Sequence, residues 1–465
     1  MTNYFQTTLL QLGAFGYTLN SDDEFFQSAT GTILSSQDTA IPIYASGSDA
    51  HVFIAGTIAS HTRGILLGLY NSADGTSNGN TLVVEATGSI TALGPDDTKG
   101  TVVEMGGDGC RVENLGQLTG HVGISAGFFN ANVVTNGAVS NDGTIAADAV
   151  GIILYSYIGS LENSGSILTT GSDSAGTTTT IGALIGGIIC YTDEISISNT
   201  GLISHSGDLG YGIAVVGTGT NIFNSGTIET LSLDSIRGAV DLFTAAGQVA
   251  TLINAANGLI FSASTAVYGA AGNEHIVNAG QIIGNVLLND GNDRLDGALG
   301  TVVGQIFGGN GNDTLKSGAG ADEIFGGNNT DRINAGAGDD FLFGGSGNDW
   351  LNGGADDDVL RRGTGIDSLT GGAGSDDFWF VSAAEAGVGV TKDTIRDFTS
   401  GTDTIDLHLI VAGQVFIGAA AFGHVAGQVR YSGGIVAGDT DGNGSADYMI
   451  GLQGTPVLTG ADLIL

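Results

Sequence analysis

One column of aspartates constrains this chain more than any other feature. From Gly308 the sequence reads GGNGNDTLK, SGAGADEIF, GGNNTDRIN, AGAGDDFLF, GGSGNDWLN, GGADDDVLR, RGTGIDSLT and GGAGSDDFW, eight nine-residue units without a gap. Position six is always aspartate: Asp313, Asp322, Asp331, Asp340, Asp349, Asp358, Asp367 and Asp376. Position two is always glycine, and position eight is always large and apolar, from Leu315 to Phe378. A strict short period over this length marks a stack of repeating coils.

The spacing dictates local structure. The first six residues of a unit have turn composition, and the last three suit a short strand whose middle side chain points inward. Two units then make one coil of eighteen residues with two turns and two strands. Stacking buries the position-eight ladder and sets each aspartate above another one coil on. Stacked carboxylates repel unless a cation lies between them. Calcium suits such a place better than magnesium, because it accepts six to eight oxygens and takes backbone carbonyls beside carboxylates.

The pattern GGxGxDxUx resembles the nonapeptide of the RTX, or haemolysin-type calcium-binding, proteins. The resemblance implies a parallel β-roll. It also implies a ligand set: one turn offers the carbonyls of positions two and four with its aspartate, and the next turn on that side offers positions one and three with its own. Carried onto this chain, Gly309, Gly311 and Asp313 face Gly326, Asn328 and Asp331. Gly327, Asn329 and Asp331 then face Gly344, Ser346 and Asp349, and Gly345, Gly347 and Asp349 face Arg362, Thr364 and Asp367. On the other side Gly318, Gly320 and Asp322 face Ala335, Ala337 and Asp340. Gly336, Gly338 and Asp340 face Gly353, Ala355 and Asp358, and Gly354, Asp356 and Asp358 face Gly371, Ala373 and Asp376. That gives about six calcium ions. Asn329 and Asp356 replace a glycine but tolerate left-handed geometry. Arg362 replaces a position-one glycine and is expected to contribute only a carbonyl. Upstream, LNDGNDRLD supplies Asn289, Gly291 and Asp293 as a further unit whose register slips, and so a further candidate ion.

Position nine carries Phe307, Phe325, Phe343, Arg361 and Trp379 on one side and polar residues on the other. One sheet is therefore expected to present an outward aromatic ladder. Either the C-terminal segment covers it or it serves assembly or ligand binding.

Composition agrees with a turn-rich β-fold. Glycine numbers 81 and proline 3, which excludes collagen-like and proline-rich chains, and 42% hydrophobic residues exclude a disordered one. Forty-eight acidic residues against twelve basic give a net charge of −36. Such a field attracts cations and repels nucleic acid. No apolar run reaches the length of a membrane span. The first basic residue is Arg63, so no Sec-type N-terminal signal is expected. Cys110 and Cys190 fit no metal or disulfide spacing and read as small buried hydrophobes.

Residues 1–285 hold a looser repeat built on NDGTI at Asn141, NSGSI at Asn163, NTGLI at Asn199, NSGTI at Asn224 and NAGQI at Asn278. Asparagine–glycine turns between short apolar strands indicate a larger parallel β-helix, with asparagine suited to an internal ladder of amide hydrogen bonds. An amphipathic first segment is expected to cap its open end. Residues 286–380 form the roll and 381–465 a small β-rich cap. The order of motifs in that last segment, from DTIRDFTSGTDTIDL to LTGADLIL, resembles the C-terminal region of serralysin-type secreted proteins. The resemblance implies an uncleaved signal for the type I secretion machinery. Asp439, Asp441, Asn443 and Asp447 look like a calcium loop or a polar hairpin.

The expected fold class is thus all-β, a parallel β-solenoid. The expected function is a secreted, calcium-dependent structural or adhesive protein of the cell surface, self-associating or binding a cell-surface glycan. A polysaccharide-active β-helix enzyme joined to RTX units, of the epimerase or lyase type, is the rival. Against it, Arg63, Lys99, Arg111 and Arg237 are scattered, and no Asp-Pro-His or HExxH string exists. Two GxSxG strings, at Gly75–Gly79 and Gly123–Gly127, lack the strand–turn–helix context of a serine hydrolase.

Overall fold

The computed structural model describes every residue from 237 onward. Before that it describes all but 1–2, 7–8, 13–16, 21, 36–41, 46–47, 68–78, 94–99, 107–108, 127–133, 156, 171–185, 208–209 and 232–236. The string at Gly75–Gly79 lies almost wholly outside the described residues, as does Lys99. The chain divides into two compact units, Met1–Tyr268 and Gly269–Leu465.

The first unit is a parallel β-helix whose coils carry three short strands. Ser196–Asn199, Leu202–His205 and Tyr211–Val215 form one coil, and Asn221–Asn224, Thr227–Thr230 and Val240–Leu242 form the next. The two pair in parallel register, Ile197 beside Ile222, Ile203 beside Ile228 and Ile213 beside Val240. Strand alternation turns these residues inward, and all six are buried. At the turn, the N–H groups of Ser225 and Gly226 both donate to the Asn199 carbonyl, at 2.8 and 3.2 Å. A Cβ at Gly226 would strike the Gly201 carbonyl of the coil before, which explains the recurring glycine.

The expected amide ladder is present. Asn114, Asn141, Asn163, Asn199, Asn224 and Asn254 each stand one coil apart, and each Nδ2 donates to the next Oδ1 at 2.7 or 2.8 Å. All six side chains are buried. Burial makes such bonds obligatory, because an unmade amide bond costs about 1–3 kcal/mol. The first segment joins the stack as strands: Asn3–Gln6 pairs with Glu24–Gln27, and Leu9–Leu12 with Thr32–Ser35. Cys110 and Cys190 are buried.

The second unit holds the nonapeptide units and differs from expectation in three respects. The inner units have strands longer than three residues: Phe341–Ser346 and Trp350–Ala355 each run six, from position seven through position three of the next unit, while Thr314–Lys316 and Asp377–Trp379 at the ends run three as expected. Pairing therefore extends into what composition marks as turn, with Phe343 beside Phe325 and Gly345 beside Gly327. The boundary at 285 also moves to 268/269, because Asn273–Asn278 and Gln281–Asp290 pair with Arg294–Asp296 and Gln305–Asn310. Lastly, residues 381–465 do not separate from the roll. Asp393–Ile395 pairs with Ser368–Ala373, and Thr404–Asp406 with Asp377–Trp379. An antiparallel meander, Gln428–Ser432, Ile435–Asp439 and Tyr448–Leu452, completes the segment. The position-eight ladder, Leu315 to Phe378, is buried throughout.

Candidate metal centre

Stacking the coils brings the aspartates into two columns. In one, the backbone N–H of Asp293 donates to Asp313 Oδ1 at 2.8 Å. Asp313 donates to Asp331 at 2.9 Å, Asp331 to Asp349 at 2.9 Å, and Asp349 to Asp367 at 2.8 Å. In the other, Asp322 donates to Asp340 at 2.8 Å, Asp340 to Asp358 at 2.9 Å, and Asp358 to Asp376 at 3.1 Å. One oxygen of each carboxylate is thus spoken for. The second oxygen, Oδ2, is buried with no hydrogen-bond partner in Asp293, Asp313, Asp331, Asp340, Asp349, Asp358, Asp367 and Asp376.

Burial disfavours the ionised form of a carboxyl and raises its pKa. Burial pushes the Asp331 carboxyl up to about 8, and Asp340, Asp349 and Asp358 to about 7. Asp313, Asp367 and Asp376 rise to about 6, and Asp322 is raised too, all chiefly by burial. A column of such groups is a strong ligand set for a hard divalent cation.

The backbone completes the donor set. A Cβ on Gly344 would fall among Asp349 Oδ2 and the Arg362 carbonyl; on Gly326, among Asp331 Oδ2 and the Gly344 carbonyl. Carboxylate and carbonyl oxygens therefore converge on one space beside position one. Gly345 and Gly347 hold φ of 107° and 145°, conformations that suit glycine and keep the turn tight. Asn329 and Asp356 adopt φ of 78° in the same turns. The second and third positions align from coil to coil, Gly309 with Gly327, Asn310 with Asn328, Gly336 with Gly354 and Ala355 with Ala373. Oxygens of this kind fit calcium.

Several residues at the ends of the columns escaped the period. Glu274 donates its N–H to Asp293 Oδ1 at 2.7 Å, Asp367 donates to Asp393 Oδ1 at 2.7 Å, and Asp376 to Asp403 Oδ1 at 3.3 Å. Their spacings of 19, 26 and 27 residues break the eighteen-residue register, so only the fold reveals them. The upstream unit joins the stack, with Asn289 (φ 68°) beside Gly309. The Asp293 carboxyl is pushed to about 7, first by burial.

Arg362 corrects its expectation. Position one points inward, as the buried Gly308, Gly326 and Gly344 show. A side chain there must enter the roll, and the Arg362 guanidinium is 0% exposed, 2.6 Å from Asp393 Oδ2. It does more than lend a carbonyl.

The outward aromatic ladder exists and is half-buried by its own members. Phe307 stacks on Phe325 at 4.8 Å between centroids, Phe325 meets Phe343 edge-on at 6.2 Å, and Arg361 caps Phe343 at 4.6 Å. Trp379 packs against Phe341 instead, and its indole N–H donates to Asp377 at 2.8 Å. A groove runs along this face between the rings and Asn310, Asn328 and Ser346.

In the C-terminal meander Asp439, Asp441 and Asp447 come together, with one oxygen from each within 4.8 Å of the others. Asp439 accepts from Gly442 and Gly444 N–H, and Asp447 from Thr440 N–H and hydroxyl. Asn443 donates to Asp441 at 2.9 Å. The loop satisfies its own carboxylates.

Fold and site define a calcium-binding parallel β-solenoid. The family model of the RTX calcium-binding nonapeptide repeat matches residues 305–332, 325–360 and 363–380, in four copies, so the chain carries that repeat. Among solved structures, the chain is similar to the AlgE6R3 subunit of the Azotobacter vinelandii mannuronan C5-epimerase, seen in solution. The two share 26% identity over 33% of this chain and 80% of that one, with a TM-score of 0.19. No curated protein matches the chain. No helix among the described residues is long and apolar enough to cross a membrane.

Proposed function

We propose that this is a secreted protein with a structural or adhesive role at the cell surface, whose roll folds when calcium becomes available outside the cell. The carrying observation is the pair of aspartate columns, in which every repeat aspartate except Asp322 keeps one buried oxygen without a hydrogen-bond partner. Calcium supplies the positive charge that lets these carboxylates ionise while buried. About six positions, from Asp313 to Asp376, would hold it, with the Asp293 turn as one more. Without a cation, ionised columns repel and the turns stay open. Since binding energy then becomes folding energy, the chain can leave a calcium-poor cell unfolded. Export through type I machinery on a C-terminal signal belongs to the same reading.

Circular dichroism in calcium and in EDTA tests it. A gain of β signal and of melting temperature in calcium is expected; identical spectra and melting in both would sink it.

A second reading is a polysaccharide-active enzyme with an RTX module. The name of the matched epimerase subunit favours it, although a TM-score of 0.19 lends no geometry. Within the β-helix, Glu104 and Arg63 sit 3.2 Å apart, and burial raises the Glu104 carboxyl to about 7 despite the nearby guanidinium. An acid–base group beside a cation is what uronate chemistry needs. Incubation with polyuronates, followed by NMR of the sugar configuration and of new unsaturated ends, decides it. An unchanged polymer rejects this reading.

A further inference from the structure

We propose that Arg362 carries a resident cation, its guanidinium standing between Asp367 and Asp393 where a calcium ion stands between earlier aspartates. The inference rests on the calcium reading of the columns.

Three observations converge on it. First, position one aims inward at a defined place. At Gly308, Gly326 and Gly344 an added Cβ would meet the Oδ2 of that unit's own aspartate and the position-one carbonyl of the next coil. That is the space in which the oxygens of a cation site converge. Arg362 occupies the same position one coil on, so its side chain leaves along the track beside Asp367. Second, Asp393 continues the column, because Asp367 N–H donates to its Oδ1 at 2.7 Å, as each earlier aspartate does to the next. The guanidinium lies 2.6 Å from the other oxygen, Asp393 Oδ2, with both side chains 0% exposed. Third, Nη1 and the guanidinium face are held by neighbours, while Nε and Nη2 are buried without a hydrogen-bond partner. Nη1 donates to the Gly363 carbonyl at 3.1 Å and to the Glu385 carbonyl, and Cζ lies 4.2 Å above the Phe380 ring.

The opposite column has no such group. Asp376 is followed by Asp403, and beside it Asp397 accepts from Gly371 and Gly372 N–H at 3.1 and 2.9 Å. The two columns therefore end differently, one on an internal cation and one on carboxylates alone.

The consequence is a last turn held without metal. Arg362 ties the final nonapeptide coil of its column to the helical turn Ala383–Ala386 through Glu385, and to Asp393–Ile395 through Asp393. A charged pair fully out of water is costly to break from one side only, so the link is firm. The remaining turns wait for calcium, while this one carries its charge in the chain.

R362G restores the residue that the repeat prefers and opens the space. Calcium per chain, counted by native mass spectrometry of wild type and R362G refolded in calcium, is the test. One additional ion in R362G is expected, and an equal count overturns the proposal. Should wild type bind no calcium at all, the calcium reading itself falls, which is a distinguishable result. Anomalous diffraction from calcium-loaded wild type needs no variant. Ions between Asp349 and Asp367 but none between Asp367 and Asp393 are expected, and an ion at that last place overturns the proposal.

Discussion

The backbone N–H of Asp349 donates to the carboxylate of Asp367 at 2.8 Å, eighteen residues on, and leaves Asp367 Oδ2 buried without a partner. Each aspartate thus does two jobs. Oδ1 registers one coil on the next, and Oδ2, except in Asp322, is the buried oxygen that the proposed function assigns to a cation. Under the proposed function, a cation that neutralises such a column couples calcium binding to folding.

D349N separates the two jobs, since the amide oxygen still accepts the Asp331 N–H while the charge is gone. Asp349 faces a turn on each side, so two calcium positions weaken. The calcium midpoint of folding, followed by circular dichroism, is expected to rise on the order of tenfold or more. An unchanged midpoint would remove Asp349 from the ligand set.

Acidity acts on the metal-free roll in a direction fixed by the raised carboxyls. Asp331 sits at about 8 and Asp349 at about 7, against an ordinary 3.8. Between about pH 4 and pH 8 the folded chain binds more protons than the unfolded one, so stability falls as pH rises through that window. In EDTA, the melting temperature of the roll should climb as pH is lowered from about 8 to about 5. Calcium must displace those protons, so calcium affinity should fall over the same interval. Isothermal titration in buffers of different ionisation enthalpy checks the proton release.

Gly345→Ala probes the turn itself. At φ of 107° a side chain is strained, and its Cβ would strike the Gly327 carbonyl. A loss of about 1–3 kcal/mol is expected in the calcium-loaded protein. Denaturant unfolding at saturating calcium measures it.

Asn199→Leu tests the β-helix independently of metal. Asn199 accepts from Asn163 and donates to Asn224, so its removal strands a donor on one side and an acceptor on the other. The expected cost is about 2–4 kcal/mol. It should appear equally in calcium and in EDTA; a calcium-dependent loss would show that the ladder belongs to the roll's cooperative unit.

The aromatic face is the place to look for self-association. The double change Phe343→Ser and Trp379→Ser alters the outward rings and leaves the buried Leu342 and Phe378 in place. If this face joins copies in calcium, light scattering of the variant should show a smaller particle than wild type. An unaltered particle size rules the face out as the assembly surface.

Period alone determined the aspartate columns and the buried position-eight ladder, because a solenoid repeats its environment with its sequence; the stacked asparagines, 22 to 36 residues apart, were legible from their recurring asparagine–glycine turns instead. Six-residue strands were not legible. Glycine and asparagine at positions one to three read as turn, yet backbone hydrogen bonding between coils holds them extended. Tertiary structure alone decided the ends. Glu274, Asp393 and Asp403 enter the columns across insertions that destroy the period, and only the fold restores their alignment. Arg362 shows the same limit at one residue. Its letter marks a departure from glycine, but which way position one faces is set by strand alternation, and that direction buries a positive charge against Asp393.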